Sequence, residues 1–462
     1  MKQPHILLIM LDQLRYDCIG YSGAYPVKTP NIDRLASEGM WFEHAYTPIP
    51  TCCPARQAFV NGRRPEAFGA LWNFKNGLPV PALEPKEYAW PRELGKLSYR
   101  NVMLGKWDVH PQHSPLEYGY DFFVGLASYT EMTERKYPDV RFRAGYVGES
   151  NPIPLEDSQT HWLADQASGF IKELTAKGDP WYIQLNFSEP HLPCRPSEPF
   201  VSMYSPEEIP EWGGFRETFA NKPYIQRQQL HSWQVDAFTW QDWAPIVARY
   251  YGMISQTDDA IGRVLRALDE SGEAENTLVI FTADHGDMCG SHGMMDKHYI
   301  LYDDVVKVPL IVKYPPLVPQ GARCNSFISN MLDLPPTLLE LTGAAIPSFF
   351  AGRSFAPLLA EEEVADWRPH IVTTYNGQQF GLYTQRMLRT KRWKYIWNTT
   401  DIDELYDMEQ DPYELLNRID DPSCKELVKQ YRIWLYETLE AEGDGLVQNE
   451  WMRNQLLHNA IV

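Results

Sequence analysis

Five short apolar runs constrain this chain more than any other feature of its sequence. Ile6 to Leu11 reads ILLIML, Asn101 to Leu104 NVML, Tyr182 to Phe187 YIQLNF, Leu278 to Thr282 LVIFT and Val308 to Val312 VPLIV. None alternates cleanly with polar residues. Each therefore reads as a strand covered on both faces, the pattern of a mostly parallel sheet with helices above and below. The fifth run carries Pro309 at its second position, which suits an edge strand.

The carboxyl ends of these runs matter as much. The first leads into Asp12-Gln13, the second to Lys106, the third to Glu189-Pro190-His191 and the fourth to Asp284-His285. Ligands of open α/β sheets bind beyond the carboxyl ends of the strands, so four runs deliver polar or cationic groups to one rim. Helical segments lie between: Asn31 to Glu38 after Thr29-Pro30, Ser158 to Thr175, and Ile246 to Ser271 with Ile254, Ile261, Leu265 and Leu268 on one face. Leu334 to Leu341 reads as a short helix with Pro335-Pro336 in its first turn. Glu189 to Asp242, rich in Pro and Trp, reads as a long excursion over the site. From His370 to Asn398 the pattern shortens to antiparallel strands broken at Asn376-Gly377, and Leu427 to Leu439 reads as a helix. The expected fold is α/β: a large mixed, mostly parallel sheet flanked by helices in a catalytic domain 1–366. A smaller C-terminal α+β domain with an antiparallel sheet and helix covers 367–462.

The net charge of −19 over 462 residues argues against a nucleic-acid partner, which needs a basic surface. An acidic protein that acts on anions must hold its cations locally. The 7 cysteines are odd in number and widely scattered, which does not suggest a disulfide scaffold. No stretch is long enough to span a membrane, and Ile6 to Leu11 is too short for the apolar core of an export signal. The chain reads as soluble and cytoplasmic.

The chemistry gathers first at Cys52-Cys53-Pro54-Ala55-Arg56. Pro54 suits the first turn of a helix, which sets Cys52 at the positive end of the helix dipole, where an anion is stabilised. Arg56 adds a fixed charge one turn on. Taken singly, Asp12, Asp284 and His285 would each be capping or ion-pairing residues. Together, at the ends of two central strands, they read as a divalent-cation site. Oxygen ligands favour calcium or magnesium, and the histidine leaves room for manganese, iron or zinc; calcium is expected first, manganese second. A zinc site from His285, His292 and His298 is a rival, but spacings of seven and six residues lack the usual short pairs.

The pentapeptide resembles the signature of the type I sulfatases of the alkaline phosphatase superfamily. Thr282-Ala283-Asp284-His285-Gly286-Asp287, running on to Gly290, His292 and Lys297, resembles that family's second motif. Asp12-Gln13-Leu14-Arg15, Gly105-Lys106-Trp107, Pro190-His191, and Leu405-Tyr406-Asp407 with Asp411-Pro412 and Glu414 fit further segments, so the resemblance spans nearly the whole chain. It implies that a maturation enzyme oxidises Cys52 to formylglycine, whose hydrate is the nucleophile. It implies that Asp12, Asp284, His285 and the modified Cys52 hold one divalent metal, and that Arg56 fixes the hydrate. Lys106 and Lys297 would neutralise sulfate oxygens, and His191 would hydrogen-bond or protonate the leaving oxygen. Asn73, His292 and Gln13 are read as substrate-binding. Gln13 stands where many sulfatases have an aspartate, as in choline-sulfatase-like and phosphonate-monoester-hydrolase-like branches; it would ligate through its amide oxygen or stand behind the ligands. Sulfatases usually place a histidine two residues after the Lys106 position. Here Asp108 stands there and His110 comes two residues later, with Asp108 slightly favoured as base and Lys106 as its compensating cation.

The implied reaction is hydrolysis of an organic sulfate monoester. A carbohydrate sulfate is suggested by 15 Trp and 26 Tyr and by loops such as Leu71 to Gly77 that could stack a ring. The alternatives are a phosphonate monoester or phosphodiester hydrolase on the same fold, favoured by Gln13, Asn73 and His285, and a non-catalytic metal-binding relative, favoured by Asp108 alone.

Overall fold

Every residue of β1 (His5–Asp12) is buried, because parallel neighbours close both its edges and its unbroken apolar run leaves no face for water. The computed structural model describes residues 3–74, 78–377 and 381–459. Among these, β2 (Met40–Tyr46), β3 (Arg100–Gly105), β4 (Phe122–Gly125), β5 (Trp181–Pro190), β6 (Thr277–Ala283), β7 (Leu310–Lys313) and β8 (Ala322–Ser329) join β1 in one sheet. Their order is β4-β3-β5-β1-β6-β7-β2-β8. All pairs are parallel except those of β7, which is antiparallel to both β6 and β2.

The four strands that end in polar residues, β3, β5, β1 and β6, stand side by side and run the same way. Lys106, His191, Asp12 and Asp284 therefore leave the sheet at one rim. A bulge between Met10 and Asp12 shifts the β1–β5 register at that rim and re-aims the last side chains of β1.

Several sequence expectations need correction. The proline-bearing run is not an edge: β7 lies inside the sheet, and Pro309 stays just outside its ladder, where its missing N–H costs no pairing. The Pro309 carbonyl accepts the Thr282 hydroxyl at 2.9 Å. β2, β4 and β8 were invisible to the apolar pattern, β4 and β8 because they are the edges, partly exposed. Pro335 and Pro336 lie inside the helix Asn330–Thr342 rather than in its first turn. The helix start matters: Asn330 Nδ2 donates to the carbonyl of Ala283 at 2.7 Å, pinning the end of β6 beside Asp284. The long helix runs Trp240–Glu270 and begins at a capping box of Thr239 and Asp242. The excursion before it contains a helix, Tyr224–Trp233.

A second sheet is an antiparallel meander, β9 (Ile371–Tyr375), β10 (Gln385–Arg389), β11 (Trp393–Asn398) and β12 (Glu404–Asp407), in the order β12-β11-β10-β9. Its strands alternate. Leu388, Tyr395, Trp397 and Leu405 pack under the helix Lys425–Ala441. Met387, Ile396 and Tyr406 point the other way and share a core with Tyr46, Met288, Tyr299 and Tyr302 of the large-sheet region. Among the described residues no helix is long and apolar enough to cross a membrane, and all seven cysteines are free.

Candidate active site

The helix Cys52–Asn61 is buried along its whole length. Its first N–H groups need partners, as at any helix start, and Thr51 supplies no side-chain cap. Asn73 does so from outside: its Oδ1 accepts the Cys53 N–H at 2.9 Å. Cys52 is the first helical residue, at the positive end of the dipole.

Around it the rim residues converge. Cys52 Sγ lies 3.2 Å from His285 Nε2 and 3.7 Å from Asp12 Oδ1. Ligand atoms of Asp12, Cys52, Asp284 and His285 all lie within 4.8 Å of one another, and all four residues are buried. Two carboxylates share this corner because Arg56 lies between them, reaching Asp12 Oδ2 at 3.1 Å and Asp284 Oδ2 at 2.8 Å. The Oδ1 atoms of both are left facing His285 Nε2, at 3.8 and 3.6 Å. His285 Nδ1 sits 2.9 Å from the Gly286 carbonyl and must carry a proton to donate to it. Nε2 is thus the atom turned to the cluster.

Lys106 Nζ touches Asp12 Oδ2 at 2.6 Å and Asp108 Oδ2 at 3.2 Å, so the cation beside Asp108 is in place. Lys297 Nζ donates to Gln13 Oε1 (2.7 Å) and lies 2.8 Å from His191 Nε2. His191 Nδ1 faces the carbonyl of Leu192 at 2.6 Å. Gln13 Nε2 donates to Asp296 Oδ1 at 3.0 Å. Gln13 therefore braces Lys297 from behind, and its amide oxygen is spent there rather than on the ligand cluster.

These charges set the protonation of the site. Burial would raise the Asp12 carboxyl, but Lys106, His191 and Arg56 hold it well below the usual range. Burial and the Asp12 charge push against ionisation of Cys52; Lys106, Lys297 and His285 outweigh them and depress its thiol strongly. Cys53, one residue on, goes the other way, raised by burial and by Asp108. Of the two cysteines, only the first sits in an environment that favours an anion.

Not every expected residue joins this group. His292 is turned away in a left-handed conformation (φ 54°). It stacks on Tyr302 with ring centroids 4.4 Å apart and pairs with Glu217 at 3.1 Å. It is buried on Glu217 and Tyr302, apart from the cluster around Cys52 that it was expected to join as a substrate-binding residue. His285 and His292 thus serve different networks, and His298 lies on Asp296 at 3.2 Å; the three do not form a zinc site. His110 lines the same cavity as Cys52, Asn73 and Asp108, yet its Nδ1 accepts the backbone N–H groups of Gln112 and His113 and its Nε2 faces Glu84. Asn73 lines the cavity as well as capping the helix. Part of the Leu71 to Gly77 loop, residues 75–77, lies outside the described residues.

Sequence reasoning missed Asp296, which orients Gln13, and Arg15, whose guanidinium pairs with Asp17 and Asp304 at 2.7 Å each and donates to the Asp287 carbonyl at 3.1 Å. Arg15 thereby ties the segment after β1 to the segment after β6. Arg15 stood in the Asp12-Gln13-Leu14-Arg15 segment without a role of its own, and no local signal distinguishes Asp296 from an ordinary surface charge.

A family model described as sulfatase matches residues 4–344, and one described as the C-terminal region of N-sulphoglucosamine sulphohydrolase matches residues 290–441. The chain belongs to the sulfatase family of the alkaline phosphatase superfamily, and it is a sulfuric ester hydrolase. An arylsulfatase of Clostridium perfringens is 29% identical over 96% of this chain and 96% of its own length. The phosphonate monoester hydrolase of Agrobacterium radiobacter has the same fold, with a TM-score of 0.80 at 25% identity over 95% of this chain and 96% of that one. So does a protein solved with its substrate D-glucosamine-2-N,6-O-disulfate, with a TM-score of 0.77 at 21% identity over 96% of this chain and 99% of that one.

Proposed function

We propose that the protein hydrolyses a sulfate monoester of a sugar with formylglycine formed from Cys52 and one divalent cation. The observation that carries this reading is the position of the Cys52 side chain: first in its helix, and in reach of two carboxylates and an imidazole that already converge.

The residues fit a cation. Two oxygens, a correctly turned imidazole nitrogen and residue 52 make a donor set of the right kind, and Arg56 takes up the carboxylate oxygens that face away from it. Asp12, Asp284, His285 and the converted residue 52 would hold the ion, with calcium the first choice and manganese the second. Bound there, it would supply positive charge to the sulfuryl oxygens and to the nucleophile.

The chain's own side chains do the rest. Arg56 fixes the carboxylates and the residue-52 corner. Lys106, which borders the cavity, neutralises charge on the sulfuryl oxygens as the bond to the leaving oxygen breaks. Lys297, held by Gln13 and Asp296, lies against His191 Nε2 and orients that imidazole toward the leaving oxygen in this reading. Asp108, held by Lys106, is the base for the hydroxyl that releases sulfate. The sugar assignment is supported by a cavity of amide and aromatic side chains beside the site, including Gln159, Asn151 and Tyr129.

A phosphonate monoester is the second reading, favoured by Gln13 and by the likeness to the Agrobacterium enzyme. Two measurements test both. Peptide mass spectrometry on protein made with a maturation enzyme should find the aldehyde at position 52 and not at 53. Turnover of 4-nitrophenyl sulfate, a phenyl phosphonate monoester and a phosphodiester should rank the sulfate first; a clear preference for the phosphorus esters reverses the choice.

A further inference from the structure

The cavity at Cys52, about 460 Å³, does not end there. Lys106, Asp108, Leu126 and His191 also border a second cavity of about 450 Å³, so the two adjoin across these residues. With the sulfuryl group at Cys52, the alcohol part of the ester extends into the second cavity.

Arg195 lines that cavity. Its guanidinium carbon lies 4.1 Å over the Phe142 ring, and stacking on one face leaves the N–H edges for a ligand. Among the described residues no carboxylate is within ion-pairing distance of it, and its Nε is buried without an acceptor. Glu149, nearby but beyond ion-pairing distance, accepts the backbone N–H groups of Arg143 and Ala144 on Oε1 at 2.6 and 2.8 Å, and the Arg195 charge helps hold its carboxyl down. Arg15, Arg56 and Arg386, by contrast, each lie on carboxylates. The carboxylates of the cavity itself are engaged, Asp108 by Lys106 at 3.2 Å and Glu189 by Gln159 at 2.7 Å. The guanidinium N–H groups other than the buried Nε are the ones a ligand in the cavity can reach.

We infer that Arg195 is a specificity-determining residue that binds a second anionic group, a carboxylate or a further sulfate, on the alcohol part of the substrate. The preferred ester is then a sugar that carries its scissile sulfate and one more negative charge. This rests on the sulfate-ester reading above and goes beyond it by naming the substituent and the residue that selects it.

The test is kinetic, on the full-length, converted, metal-loaded enzyme. Three monosaccharide sulfates are compared: one otherwise neutral, one bearing a carboxylate and one bearing a second sulfate, with 4-nitrophenyl sulfate as a further monoanionic reference. The wild type should favour at least one dianionic sugar over the neutral one by about ten- to a hundredfold in kcat/KM, the range of a hydrogen bond to a charged group. The arm that shows the gain identifies the anion. Arg195→Gln should collapse that ratio to within about threefold of unity, chiefly through KM, and Arg195→Lys should keep part of it. Thermal midpoints check folding, and should Arg195→Gln not fold, Arg195→Lys carries the comparison through its reduced ratio. A wild-type ratio near one, or a ratio the variants leave unchanged, overturns the inference while the sulfatase reading stands. If no sulfate is hydrolysed and the phosphonate monoester is, both fall together.

Discussion

Arg56 lets two buried carboxylates stand within reach of one thiol, and Lys106 adds a second cation on the side open to the cleft. They differ in consequence. Removing Arg56 leaves Asp284 without its arginine in the interior and Asp12 with Lys106 alone, whereas Lys106 is partly open to the cavity. Lys106→Ala is therefore expected to fold and to lower kcat by about a hundred- to a thousandfold, as loss of one preorganised charge at a developing anion does; steady-state kinetics with a circular-dichroism control checks it. Cys52→Ala should abolish turnover with the fold intact, while Cys53→Ala should be mild; the reverse pattern would reassign the nucleophile. Glu217 gives a pH-dependent expectation away from the chemistry. Burial opposes its charge, but His292 and Lys222 hold its carboxyl at about 2 against an ordinary 4.5. A depressed carboxyl stabilises the fold above pH 4.5, and that contribution is lost as the pH falls from there toward 2. Glu217→Gln should thus lower the thermal midpoint at pH 7, and the gap to wild type should narrow by pH 3.5. At this scale the sequence showed the residue types that meet at the rim, because strand ends and a helix start place them. It did not show that His292 belongs to Glu217 and Tyr302, since a histidine at the right motif spacing looks the same whichever way its backbone turns.

Lys106 is where it is because β3 ends in glycine. Gly105 has φ +88°, and a Cβ there would sit 2.0 Å from the carbonyl oxygen of Asn186 on β5. That oxygen accepts the Lys106 N–H at 3.0 Å. Gly105→Ala should force the two strand ends apart, with a loss of at least about 2 kcal/mol from the left-handed strain and the clash. It should also cost activity beyond what the stability loss explains; unfolding and kcat measured together decide this. The nucleophile helix depends on an outside group in the same way, since Asn73 caps the Cys53 N–H. The central strands were legible because burial on both faces leaves an unbroken apolar run. The edge strands were not, because partial exposure at β4 and β8 blurs the pattern, and β7 was misplaced because a proline just before a ladder reads like one inside it.

The two sheets are joined by charge as well as by apolar contact. Lys394 of β11, fully buried, bridges Asp303 at 2.6 Å and Glu414 at 2.7 Å. Asp304, next to Asp303 in the chain, holds Arg15, which in turn grips the carbonyl of Asp287. Lys394→Met should leave two buried carboxylates without their cation and cost about 3 to 5 kcal/mol, read as a lower thermal midpoint of the whole chain rather than of one part. A change of apolar period marked where the second sheet begins, but not this coupling, which rests on contacts far apart in the chain. Met387, Ile396 and Tyr406 meet Tyr46, Met288 and Tyr302 in a single core, and that has a practical meaning. Cutting the chain near residue 366 would strip the covering from an oily surface, so the first part alone should precipitate instead of surviving as an independent enzyme. Grafting the meander of a relative onto this chain would succeed only if the matching stretch around Met288 to Val306 travelled with it.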